Sequence, residues 1–139
     1  MSDFAIETRT TGGVDNRWLA SAHGVTAVPG TLDISSVIGE VDQYGYIPGG
    51  VALGKITATG QYGIFDTTGL LTDGTELLAG FTREATNVKT SLNVTLPSGK
   101  ASIAVVKTAT VNRTYLPVVA QRTAIDHTTV STGQFVYTD

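Results

Sequence analysis

The stretch that decides the fold is Val88–Val111, VKTSLNVTLPSGKASIAVVKTATV. Leu92, Val94 and Leu96 alternate with polar neighbours up to Pro97-Ser98-Gly99-Lys100, and Ile103 and Val105 resume the alternation beyond it. A period of two sends successive side chains to opposite faces of a strand, and a Pro/Ser/Gly cluster between two such runs is turn chemistry. The stretch therefore predicts a β-hairpin whose second strand continues through Lys107–Val111. Its threonines and valines are stiff at χ1 and suit a pleated surface better than a helix.

Outward from this hairpin the same grammar recurs. In IPGGVALGKITA (47–58), Pro48 fixes φ and Gly49-Gly50 permit positive φ, which gives a turn. Val51, Leu53 and Ile56 then suggest a strand with a kink or bulge at Gly54. A hairpin turn near Thr59-Gly60 leads to a return strand through Tyr62, Ile64 and Phe65. Asp73-Gly74, a favoured tight-turn pair, stands between the apolar pieces of TTGLLTDGTELLAGFTREA (67–85). The C-terminal part offers a short helix around Val118–Asp126 and a final strand at Gln134–Tyr137. Strands about every ten residues, punctuated by 16 glycines, predict a mainly β protein. The expected form is a small barrel or sandwich with little helix.

The first 42 residues read differently. TTGGVDN (10–16) is loop chemistry, SAHGVTAVPGT (21–31) breaks after a few residues, and TLDISSVIGEVD (31–42) alternates only briefly. This predicts an extended N-terminal arm over 1–42, with one strand-like or single-turn helical piece around Asp33–Ile38, and a β domain over 43–139. The arm nevertheless holds Trp18, Leu19, Val25, Val28, Leu32, Ile34, Val37 and Ile38. So many apolar residues are expected to lie on something. Trp18 either grips a partner or folds back onto its own barrel.

Composition narrows the function. The chain has 139 residues, enough for one domain with a real core, and 41% hydrophobic with only 15% charged residues is too apolar for disorder. No apolar run reaches membrane-spanning length, and MSDFAIETRT lacks the layout of a signal peptide, so cytosolic synthesis is expected. Cysteine is absent, so no disulfide or thiolate site holds the fold. The formal net charge is −3 and the cations are scattered singly, which argues against a nucleic-acid surface.

No arrangement of reactive residues meets the requirements of a known chemistry. His23 and His127 have no partner at metal-ligand spacing. Ser21 precedes His23 by two residues, but there is no nucleophile elbow and the pair sits in the arm. Asp126 and His127 are adjacent, a spacing that points side chains apart on a strand. Asp66 and Asp73 belong to turns, and Gly54-Lys55 lacks the upstream glycine of a phosphate loop. No catalytic residue, metal or cofactor is expected, which leaves a structural or binding protein.

Five pieces in order carry a resemblance: WLASAHG (18–24), TLD (31–33), YIPGGVALGKITATGQYGIFD (46–66), DGTELLAGF (73–81) and YLPVV (115–119). Together they resemble the head decoration proteins of tailed bacteriophages, the lambda gpD-like group, and more closely the longer versions from actinobacterial phages. The resemblance implies a β-tulip fold that binds as a homotrimer at three-fold and quasi-three-fold positions of an icosahedral head. It implies a place on the outer surface of the virion after synthesis in the host cytoplasm, with no activity, cofactor, direct nucleic-acid contact or membrane contact. It further implies an N-terminal arm that adds to β structure of the major capsid protein, clamping adjacent subunits. On that footing Trp18, Leu19, His23, Thr31, Leu32 and Asp33 are the expected capsid-docking residues. Tyr115, Leu116 and Pro117 are the expected trimer interface, the end of a core strand being the alternative. The rival function is a β-barrel ligand-binding module on a virion surface, for example for carbohydrate, which a stack of exposed aromatics on one face marks.

Overall fold

Residues rich in Val, Thr and Gly form eight strands in the computed structural model, which describes residues 16–21, 23–37, 39, 45–88 and 99–139. They are β1 Thr26–Asp33, β2 Tyr46–Ile47, β3 Ala52–Lys55, β4 Tyr62–Ile64, β5 Leu78–Thr82, β6 Thr86–Asn87, β7 Lys100–Asn112 and β8 Gln134–Thr138. Two short helices, α1 Ile34–Val37 and α2 Val119–Ala124, and a 3-10 turn at Arg113–Tyr115 complete the elements. The first half of the expected hairpin, Leu92–Leu96 with its Pro97 turn, lies outside the described residues, as do Ile38 and positions 1–15.

Five strands close into a barrel in the order β1-β4-β3-β5-β7, with β7 pairing back onto β1. The pairs are antiparallel except β1–β4. Closure rests on β1 and β7, which stay in register from Thr26↔Thr108 to Asp33↔Lys100 with one irregularity after Thr26. The far half of β7 leaves the barrel and takes β8 alongside in parallel, from Thr108↔Gln134 to Asn112↔Thr138. The small β2–β6 ribbon stands apart.

Local signals in the sequence account for much of this. The pairing of β3 with β5 slips between Leu53 and Gly54, where the glycine predicted a bulge. A Cβ on Gly54 would strike the backbone of Thr75, so the missing side chain is what lets the Asp73–Thr75 turn cross the strand. The Thr59-Gly60 turn forms with Gly60 at φ +74° and its N–H donating to the Ile56 carbonyl at 2.8 Å.

Two apolar clusters result. The first fills the barrel with residues from all five of its strands: Leu32, Leu53, Tyr62, Ala79, Ala101, Ile103 and Val105, with Ile34 and Val37 of α1. The second is built on the β3-β5-β7 side from Ala52, Leu78, Phe81, Val106, Ala109 and Val111. It is roofed by Trp18, Leu116 and Ile125, with Phe135 and Tyr137 of β8 packed against it. Gln121 of α2 locks the roof down: Ala52 N–H donates to its Oε1 at 2.9 Å and its Nε2 donates to the Ala52 carbonyl at 3.1 Å. The amide thus adds to the strand pairing, since the Ala52 carbonyl also accepts from the Phe65 N–H at 3.0 Å.

The division at residue 42 is corrected by this architecture. β1 and α1 lie within the stretch assigned to the arm, yet they supply a barrel strand and four buried core side chains together with Trp18: Leu32, Ile34 and Val37 are buried with it. The physical reason is strand closure, because a barrel without β1 leaves β7 and β4 with open edges. Of the apolar residues of that stretch, Trp18, Leu32, Ile34 and Val37 lie on their own barrel, whereas Val28 is exposed.

Candidate functional site

Trp18 is 0% exposed. Its ring packs on Gly50, where a Cβ would sit 2.8 Å from the indole, and 5.6 Å from the ring of Phe81. Gly50 also holds φ at +94°, so it serves both the turn and the tryptophan. The segment around Trp18 is stitched to β7 through Asn112 N–H to the Trp18 carbonyl at 2.7 Å and Ala20 N–H to the Thr110 carbonyl at 2.9 Å. Among the described residues no acceptor meets the indole N–H. Trp18 and Leu32 are therefore core residues, which corrects their assignment as docking anchors, and Leu19 is half-buried where it bridges to Val111.

The other residues expected to dock divide between surface and structure. His23 and Thr31 are exposed. Asp33 accepts from the Ser35 N–H at 3.2 Å and hydroxyl at 2.8 Å, which fixes the start of α1. Tyr115, at 40%, presents surface, and the Arg17 guanidinium lies 4.7 Å above its ring. Leu116 is fully buried and its carbonyl accepts from Arg122 Nε at 2.7 Å, while Pro117 is half-buried. Of that trio Tyr115 presents an exposed face and Pro117 a partial one, while Leu116 follows the alternative of a core position.

The reactive residues are engaged in local structure. The contact between Ser21 and His23 is a backbone one, His23 N–H donating to Ser21 Oγ at 3.1 Å. Asp126 accepts from the Thr128 N–H at 2.8 Å and hydroxyl at 2.5 Å. The same Asp-x-Thr turn occurs at Asp66–Thr68 and Asp73–Thr75. In all three the threonine hydroxyl is the main force holding the aspartate below the usual carboxylate range, followed by a backbone N–H. Lys107 donates to the Ala79 carbonyl at 2.6 Å and to Thr132 Oγ1 at 2.9 Å, and burial, then the charge of Lys55, pushes its ammonium down. Among the described residues no three His, Cys or carboxylate side chains gather at metal-binding distance.

One surface element escaped the sequence reading. Leu70 and Leu71 were expected to form an apolar piece beside the Asp73-Gly74 turn. They stand instead on a loop and are 82% and 53% exposed. Asp66 organises this loop: Oδ1 receives the two bonds from Thr68, and Oδ2 accepts the Leu71 N–H at 2.8 Å. The signal that marks it is the Asp-x-Thr spacing just ahead of two leucines. A second feature, an open groove of about 770 Å³, runs between β1–β7 and Glu84–Asn87. No reactive side-chain cluster lines it among the described residues.

No protein-family model, curated protein or solved structure matches the chain.

Proposed function

We propose that this chain is a capsid decoration protein that binds as a homotrimer at the three-fold and quasi-three-fold positions of an icosahedral phage head and clamps adjacent major capsid subunits. The observation that carries the reading is where the ordered motifs fall. YIPGGVALGKITATGQYGIFD supplies β2, β3 and β4, and DGTELLAGF leads into β5, so the residues that resemble the family build consecutive parts of the scaffold.

Docking by β-augmentation is then the work of the N-terminal arm expected over 1–42, with His23 and Thr31 as its exposed contacts among the described residues. Three such segments per trimer act multivalently, which raises avidity without new chemistry. The rival reading, carbohydrate binding on stacked aromatics, has less to support it. Trp18, Tyr62, Phe65 and Phe81 are spent in the core, and Tyr115 is the exposed aromatic among the described residues.

The test is addition of the purified full-length chain to expanded heads of its own phage prepared without it. Co-sedimentation at a saturating ratio of three copies per three-fold position, with density at those positions by electron cryo-microscopy, is the expected result. Chain that stays in the supernatant at micromolar concentration refutes the reading.

A further inference from the structure

We infer that the Asp66–Asp73 loop is a rigid contact element that inserts Leu70 and Leu71 into an apolar pocket rimmed by lysine and arginine on a protein partner. The inference rests on the capsid reading above for the identity of that partner, the major capsid shell.

Three observations carry it. The first is exposure: single apolar residues on a surface are ordinary, but here two consecutive leucines stand out on one loop. The second is order before binding. Besides the three bonds to Asp66, Leu70 N–H donates to Thr68 Oγ1 at 3.2 Å, and Gly69 turns the chain at φ +70°. At the far end the Asp73 carbonyl accepts from the Thr57 N–H at 2.9 Å and hydroxyl at 3.0 Å, and Asp66 N–H donates to the Thr75 carbonyl at 2.9 Å. A loop tied down at both ends loses little further entropy when it docks, so the leucines' burial goes into affinity.

The third observation is charge, and it selects the partner. From Ile56 to Thr82 the chain has no lysine or arginine, and Asp66, Asp73 and Glu76 flank the leucines. With Lys55, whose backbone packs on the Asp73-Gly74 turn, the balance at this end is still acidic, three carboxylates to one ammonium. Such a tip is repelled by an anionic membrane, by nucleic acid and by the same tip on a second copy. It complements a basic rim around an apolar hollow, with the acids steering the approach and the leucines holding the contact.

The experiment compares wild type with the double variant Leu70→Ser/Leu71→Ser for attachment to expanded heads lacking the protein. Both side chains are exposed, so the variant should keep the wild-type circular dichroism and thermal midpoint. Attachment should weaken by about 10- to 100-fold, as expected when two leucines lose much of their burial. A photo-crosslinking residue placed at position 71 should capture the major capsid protein. Attachment of the folded double variant within about two-fold of wild type, or no capsid crosslink from position 71, overturns the loop assignment while the capsid reading stands. Failure of wild type itself to attach overturns the capsid reading, and this partner with it.

Discussion

Replacing Trp18 by alanine is the most direct test of the placement of the N-terminal segment. The side chain is fully buried against Gly50, Phe81 and the second cluster. An aromatic of this kind removes roughly 150–250 Å² from water, which at about 25 cal/mol per Å² is ~4–6 kcal/mol. Large-to-small substitutions of buried Trp or Phe cost about 3–5 kcal/mol, so a loss of about 4 kcal/mol is expected. For a chain of this length that lowers the thermal midpoint by roughly 12–16 °C. Urea and thermal unfolding followed by circular dichroism measure it, since the substitution removes the only tryptophan and with it the indole fluorescence. Trp18→Phe is the control. It keeps a ring over Gly50 and removes a buried N–H without an acceptor among the described residues, a group that costs about 1–3 kcal/mol to leave unmet. Its expected loss is therefore at most about 1 kcal/mol, the removed donor offsetting part of the lost volume. If Trp18→Ala costs less than about 1 kcal/mol, the residue is not a core member and the reasoning fails.

Two further outcomes follow from the hydrogen bonds. Gln121→Leu leaves the buried Ala52 N–H without its partner and should destabilise by about 2 kcal/mol in urea unfolding, whereas an unchanged midpoint means α2 is not pinned to β3. The carboxyls of Asp66, Asp73 and Asp126 sit below the ordinary value of 3.8 in the folded chain. A depressed folded value contributes stability that is complete above the unfolded value and is lost as pH falls through the folded one. The urea midpoint should therefore hold steady from neutral pH down to about 5 and fall below about 4, and a flat profile to pH 2 contradicts the Asp-x-Thr turns.

The features legible in the sequence are those whose cause is local. Gly54 announces its bulge, Thr59-Gly60 its turn and Val118–Asp126 its helix from residues a few positions away, and Gln134–Tyr137 shows its strand through its own alternation although its partner β7 is distant. β1 was not legible for the opposite reason. TAVPGTLD carries Pro29 and Gly30, which read as breakers, and its partner β7 is far along the chain. Pro29 is tolerated there because β1 meets β4 only at Leu32↔Tyr62, leaving one side of the strand unpaired at the proline. The same blindness to distant partners made Trp18 look like an anchor. Leu70 and Leu71 failed differently: two leucines beside a turn read as strand, and only the bonds to Asp66 explain why they face solvent.

The closing pair of the barrel also sets an order of events during synthesis. Thr26 and Thr108, whose hydroxyls meet at 2.7 Å, are 82 positions apart. At about 5–20 residues per second, β1 waits roughly 4–16 s on the ribosome before β7 exists to receive it. For that interval Leu32 and the unpaired edge of β1 are open to any neighbouring chain, and polysomes bring identical chains close together. Supplying a chaperone that shields extended segments during that interval should raise the yield of closed barrels, whereas slowing translation lengthens the wait and should lower it.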